Sequence, residues 1–188
     1  PGERKMNGIV IDVIVVVIVG FYLMNLYNTL VRMRNAVKEA WSDIAVQLKR
    51  RFDLIPNVLA TVKGYAKHES ETLEKIVAAR SASMGQGQTI EQISKQEGVL
   101  KSLFALGEAY PDLKANANFL ELQRELRDTE DKIQAARRFY NGNVLAYNTK
   151  IEQFPANVVA EFFHFSPETL FELGEADQAA NNPVNIQF

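Results

Sequence analysis

Apolar residues run almost unbroken from Ile9 to Leu26, and beyond Val37 they return every third or fourth position. The first pattern predicts a membrane-spanning helix and the second a series of amphipathic helices. As a helix, the run from Ile9 to Leu26 reaches ~27 Å, close to one hydrocarbon thickness and too long for a core strand. Tyr22 and Tyr27 stand near its far end, where an aromatic belt belongs. No Ala-x-Ala cleavage site follows, and the helical pattern continues, which favours an uncleaved anchor over a signal peptide. Asp12 interrupts the run one turn from its start. It reads either as an interfacial residue that reaches the headgroups or as a polar contact between neighbouring anchors.

After the anchor, Val37, Trp41, Ile44, Leu48, Phe52, Ile55, Leu59, Val62 and Ala66 keep helical spacing, with Lys38, Lys49, Arg50, Lys63 and Lys67 off that stripe. Pro56 falls inside this stretch and is expected to kink it. Leu73, Ile76 and Val77 extend the pattern as far as the Gly85–Gln88 loop. A shorter helix is predicted from Ile90 to Leu106. A second long helix is then predicted to open at Pro111-Asp112, with Phe119, Leu122, Leu126, Thr129, Ile133, Ala136, Tyr140, Val144, Tyr147, Ile151 and Phe154 on its seam. Pro155 suits the first turn of a last short helix, 156–163. Two long helices joined through a shorter one predict an all-α protein. Its N-terminal transmembrane helix would continue into a long antiparallel four-helix bundle or coiled-coil-like rod. The expected divisions are a short N-terminal tail (1–8), the transmembrane helix (9–26), the helical bundle (27–173) and a polar tail ending in an extended segment (174–188).

Composition removes several function classes. There is no cysteine, hence no disulfide, thiolate zinc site or cysteine nucleophile. A net charge of -2 carries no basic excess for nucleic acid. His68-Glu69 resembles the start of a zinc-protease motif, but Thr72 stands where the second histidine belongs, and His164 lies in another region. Ser42, Ser70 and Ser102 lack a nucleophile setting, and Gly85-Gln86-Gly87 lacks the rest of a phosphate loop. No cofactor, metal or small-molecule substrate is implied.

What stands out is structural. Lys49, Arg50 and Arg51 cannot all face one core. They form either a solvated face with one ion pair, to Asp53 or an opposing glutamate, or an assembly or headgroup contact. Lys49 lies ~33 Å along a helix from Tyr27, which argues against headgroups. Asn28, Asn35, Asn141 and Asn148 recur beside apolar stripes, where asparagines fix register or oligomer state. Tyr140 and Tyr147, one heptad apart, read as core. Phe154, Phe162, Phe163, Phe165 and Phe171 either cap the bundle end or form a docking or membrane-surface patch. Val184-Asn185-Ile186-Gln187-Phe188 alternates like a strand, so Ile186 and Phe188 could add to an edge or fill a pocket on a neighbouring subunit.

Several stretches together resemble the LemA family: Tyr27-Asn28-x-Leu30-Val31, Ala40-Trp41-Ser42-x-Ile44, Val46-Gln47-Leu48-Lys49-Arg50-Arg51-x-Asp53-Leu54-Ile55-Pro56-Asn57, and Val62-Lys63-Gly64-Tyr65-Ala66. The second half agrees through Arg137-x-Phe139-Tyr140-Asn141, Tyr147-Asn148-x-x-Ile151-Glu152-x-Phe154-Pro155 and the ending Pro183-Val184-Asn185-Ile186-Gln187-Phe188. The resemblance implies a bacterial, single-pass protein of the cell (inner) membrane with a four-helix core. Its relatives include a protein of magnetosome membranes, and family genes often neighbour a membrane metalloprotease of the HtpX type. The expected function is therefore a non-enzymatic scaffold that self-assembles and organises a membrane or envelope complex. The alternative is an adaptor or substrate-delivery partner of such a protease in envelope quality control. Expected partners are the lipid bilayer and further copies of the chain. Arg4 and Lys5 before the anchor, against Arg32, Arg34 and Lys38 after it, tip the large domain toward the cytoplasm. The candidate assembly contacts are Asp12, Asn28, Asn35, the three basic residues, Phe162, Phe163, Phe165, Ile186 and Phe188. Asp12→Asn, or reversal of all three basic charges, is expected to disturb assembly more than folding.

Overall fold

The computed structural model describes residues 2–66, 69–82 and 90–171. Every regular element among them is a helix: α1 (Gly2–Tyr65), α2 (Ser70–Ala82), α3 (Ile90–Ala109), α4 (Pro111–Lys114), α5 (Ala117–Glu152) and α6 (Ala156–Phe162). The apolar run and the first amphipathic stripe lie on one uninterrupted helix, α1, which continues through Pro56.

Two expected boundaries are corrected. The first long helix does not carry on through Leu73 and Val77 but stops at Tyr65. The Glu69 carbonyl accepts the Leu73 amide at 3.0 Å and so opens α2 as a separate element. Breaking there lets Leu73 and Ile76 join the same buried cluster as Val62, Leu100 and Leu103. The second long helix likewise does not open at Pro111. That proline starts the single turn α4, and α5 begins after Asn116. Asn116 acts as the N-cap: its Oδ1 accepts the Phe119 amide at 3.0 Å, and its Nδ2 donates to the Tyr65 hydroxyl at 2.8 Å.

By contact the chain forms two compact units. The first comprises residues 1–41 and 139–170. It buries Leu26, Leu30, Val37 and Ala40 of α1, Tyr140, Val144, Tyr147 and Ile151 of α5, Ala156, Val159 and Ala160 of α6, and Phe165. The Trp41 and Tyr140 rings meet at 5.4 Å. Among the described residues the second unit comprises those between 42 and 138, with Phe171. Its core joins Ile55, Val58 and Val62 of α1 to Leu103, Leu113, Phe119 and Leu126. Gly107 is needed there because a Cβ at that position would overlap the Phe119 ring.

Helix α6 ends through its backbone. His164 takes a left-handed φ of 57°, and the Phe165 amide reaches back to the Ala160 carbonyl at 2.8 Å. The His164 amide also donates to the Glu161 carbonyl at 3.2 Å, and the two bonds with the dihedral match a Schellman-type stop, usually given to glycine.

Candidate functional site

Two clusters bring chemistry-bearing or exposed residues together, one in each unit. The first is ionic and lies in the second unit. Arg51 falls three residues after Leu48 and four before Ile55, so helical geometry turns it inward with them. It is only 6% exposed. Its Nη2 lies 2.9 Å from Glu130 Oε2 on α5, and its Nη1 lies 3.7 Å from Glu97 Oε1 on α3. Arg137, also buried, donates to the same Glu97 oxygen at 3.2 Å and stacks over the Phe171 ring at 4.3 Å. Two guanidiniums thus face two carboxylates across three helices. Arg51 Nε and Nη1 and Arg137 Nε have no hydrogen-bond partner in the protein. Attraction between net charges, more than aligned hydrogen bonds, therefore holds the group. A cleft of about 330 Å³ opens beside it, lined by Arg51, Glu97, Lys101, Arg127 and Glu130 among others.

The neighbouring cations behave differently. Lys49 pairs with Asp53 at 2.8 Å and Arg50 with Asp128 at 3.5 Å, all four side chains remaining well exposed. Hydrogen bonding from Lys132, and the Lys132 and Arg50 charges, hold the Asp128 carboxyl below its ordinary value. The basic triplet is therefore divided. Lys49 and Arg50 make surface pairs, whereas Arg51 is a buried ion paired across helices. Reversing all three charges, the expected probe of assembly, would place an anion between Glu97 and Glu130 and disrupt the core.

The second cluster is apolar and lies in the first unit. Residues 8–25 of α1 are exposed throughout, Asp12 included. At the end of that stretch Leu23, Met24 and Tyr27 line one wall of a groove of about 520 Å³ whose other wall is Val158, Val159, Phe162 and Phe163 of the α6 region. The Tyr27 ring meets Phe163 at 4.7 Å and Phe165 at 5.7 Å, and Phe162 meets Phe163 at 5.0 Å. The phenylalanines split in role. Phe165 is buried, with the Arg34 guanidinium 4.8 Å above its ring, while Phe162 is 75% and Phe163 50% exposed. Phe154, placed on the α5 seam by spacing, lies past the helix end and is 84% exposed.

The non-helical segment 165–170 is clipped by polar side chains of α5. Asn148 donates to the Glu168 carbonyl at 2.8 Å and accepts the Glu168 amide at 2.9 Å. Tyr147 donates to the Ser166 carbonyl at 3.1 Å and Tyr140 to the Thr169 carbonyl at 2.9 Å. Burial, with a contribution from Glu168, pushes both phenols above their usual 10.0. Asn148 thus fixes this segment, whereas Asn28 and Asn35 are exposed and are not drawn into either cluster. Ile186, Phe188 and His68 lie outside the described residues. Spacing missed Arg137, Glu97 and Glu130. The available signal was Arg137 on the α5 seam between Ile133 and Tyr140.

Among the described residues no cluster of three or more His, Asp or Glu side chains suits a metal ion. In comparison with known proteins, the LemA family model matches residues 40–188. The chain is 29% identical to Protein LemA of Metamycoplasma hominis over 94% of its own length and 83% of that protein. It is 27% identical to Magnetosome protein MamQ 2 of Paramagnetospirillum magneticum (87% and 71% covered) and 26% identical to Magnetosome protein MamQ of Magnetospirillum gryphiswaldense (77% and 67% covered).

Proposed function

Because the chain belongs to the LemA family, we propose that it is a single-pass membrane protein whose helical part self-assembles as a non-enzymatic scaffold. In this reading residues 9–26 cross the bilayer, residues 27–173 form an antiparallel four-helix bundle, and residues 174–188 serve as a tail. The observation that carries the membrane part of this reading is the first part of α1, with a mean hydropathy of 2.6 over an 18-residue window of which 6% is buried. A helix that apolar and that uncovered is unstable in water and stable in lipid. The likeness to magnetosome proteins supports a membrane-associated role. Support for the antiparallel arrangement comes from the second unit. Contacts from Arg51 to Glu130 and from Tyr65 to Asn116 pair rising positions on α1 with falling positions on α5 and its N-cap. The basic residues Arg32, Arg34 and Lys38 after the span favour a cytoplasmic bundle.

Carbonate extraction of membranes tests the anchor, and the mass of the full chain in mild detergent, with cross-linking in intact membranes, tests the scaffold. Retention in the membrane pellet and a defined oligomer are expected. A monomer under both conditions refutes self-assembly and shifts the role to an adaptor for another envelope protein.

A further inference from the structure

The groove between α1 and α6 extends the membrane-exposed surface beyond the spanning helix. We propose that Val158, Phe162 and Phe163 form an apolar foot that inserts into the boundary between headgroups and acyl chains, a second lipid contact beside the anchor. The proposal rests on the reading of α1 as a membrane span.

Position is the first argument. Ile9 to Leu26 accounts for ~27 Å of helix, so Leu23 to Tyr27 fall at the end of the hydrocarbon layer. Phe163 lies against Tyr27, with ring centroids 4.7 Å apart, so the α6 aromatics stand at that same level. The groove is continuous with the exposed apolar surface of residues 8–25. A bilayer that covers Leu23 and Met24 therefore meets Phe162 as well.

Chemistry is the second. Helix α6 sorts its side chains into three sets. Ala156, Val159 and Ala160 are buried, Val158 and Phe162 share an exposed apolar line four residues apart, and Asn157 and Glu161 share an exposed polar line beside it. Such a division suits an element lying in an interface, with one line in the acyl region and the other in headgroups. The groove surface is apolar throughout, which suits acyl chains, whereas a protein partner needs polar groups to fix its orientation. Holding Phe162 at 75% exposure in water is costly, and lipid removes that cost without another protein.

The absence of cysteine permits a direct test with single-cysteine nitroxide labels on the full chain. Labels at Phe162→Cys, Val16→Cys and Val46→Cys are compared in phosphatidylethanolamine/phosphatidylglycerol vesicles by collision with oxygen and with a water-soluble nickel complex. Phe162 is exposed, so its replacement removes no core contact. Val46 is exposed on the same helix, ~28 Å beyond Tyr27, and reports water. The expected result is an oxygen-to-nickel ratio at 162 several-fold above that at 46 and below that at 16. A ratio at 162 equal to that at 46, with 16 still buried, overturns the foot and leaves the anchor intact. Water-like collisions at 16 overturn the anchor reading itself. Shielding of 162 from both probes, with spin–spin broadening that grows with protein-to-lipid ratio, assigns the groove to a second copy and overturns the lipid contact.

Discussion

Replacing Arg51 by methionine keeps most of its volume but removes the charge between Glu97 and Glu130. Truncating one partner of a buried pair costs ~3–5 kcal/mol because the other charge is left uncompensated. Here Glu97 keeps Arg137 at 3.2 Å, so the stranded group is Glu130. Its side chain is 32% exposed, so water recovers part of the loss. A destabilisation of about 2–3 kcal/mol is expected, at or below the lower end of that range. Arg51→Lys should recover little, because one ammonium cannot span two carboxylates on different helices. Arg51→Met with Glu130→Leu should restore most of the stability, since the pair is exchanged for apolar contact rather than broken. The assay is urea unfolding of the full chain in mild detergent, followed by far-ultraviolet circular dichroism, where the anchor stays helical and the loss reports the remaining helices. A double variant no more stable than Arg51→Met, or a single variant that unfolds like the parent, would refute the claim that this pairing holds α1 to α5 in the second unit.

Other consequences follow from the same geometry. Asn148→Ala removes both hydrogen bonds to Glu168; a loss of about 1–3 kcal/mol is expected, together with faster amide exchange confined to residues 165–170. Gly107→Ala forces a methyl into the Phe119 ring; overpacking of this kind costs ~1–3 kcal/mol and should lower the unfolding midpoint, although alanine is the better helix former. The Asp128 carboxyl titrates below its ordinary 3.8 when folded, chiefly through the Lys132 hydrogen bond. Its ionised form is therefore favoured by the fold, so its contribution is present above the unfolded value and vanishes as pH falls through the folded one. Parent and Asp128→Asn should differ slightly at neutral pH and converge in acid, and Lys132→Met should raise the Asp128 midpoint seen by carbon-detected NMR.

Asp12 and the pair Asn28 and Asn35 show why some candidate contacts were visible as residue types but not as places. All three are exposed on α1, and a single helix gives them no partner to define a role. Lys49 and Arg50 kept their expected surface position, since nothing in the apolar stripe pulls them inward. Arg51 did not, because its offsets from Leu48 and Ile55 place it on the buried face, and only the arrival of Glu97 and Glu130 makes that burial tolerable.

The linear pattern determined the helices themselves. An 18-residue apolar run has one stable conformation in lipid, and residues repeating every three or four positions can share a buried face only as a helix. It also determined most of the core, from Val37 to Val62 and from Phe119 to Ile151, because period and burial are linked locally. Tertiary contacts decided where the helices stop and what the polar groups do. The breaks at Tyr65 and Asn116 depend on which core Leu73 enters and on Asn116 meeting both Tyr65 and the start of α5. The ionic group needs three helices that are distant in sequence, and the aromatics at the end of α6 reach the apolar run of α1 only through contact with Tyr27. Neither is encoded in any single stretch of chain, because a charge or an aromatic ring takes its role from the neighbours that desolvate it.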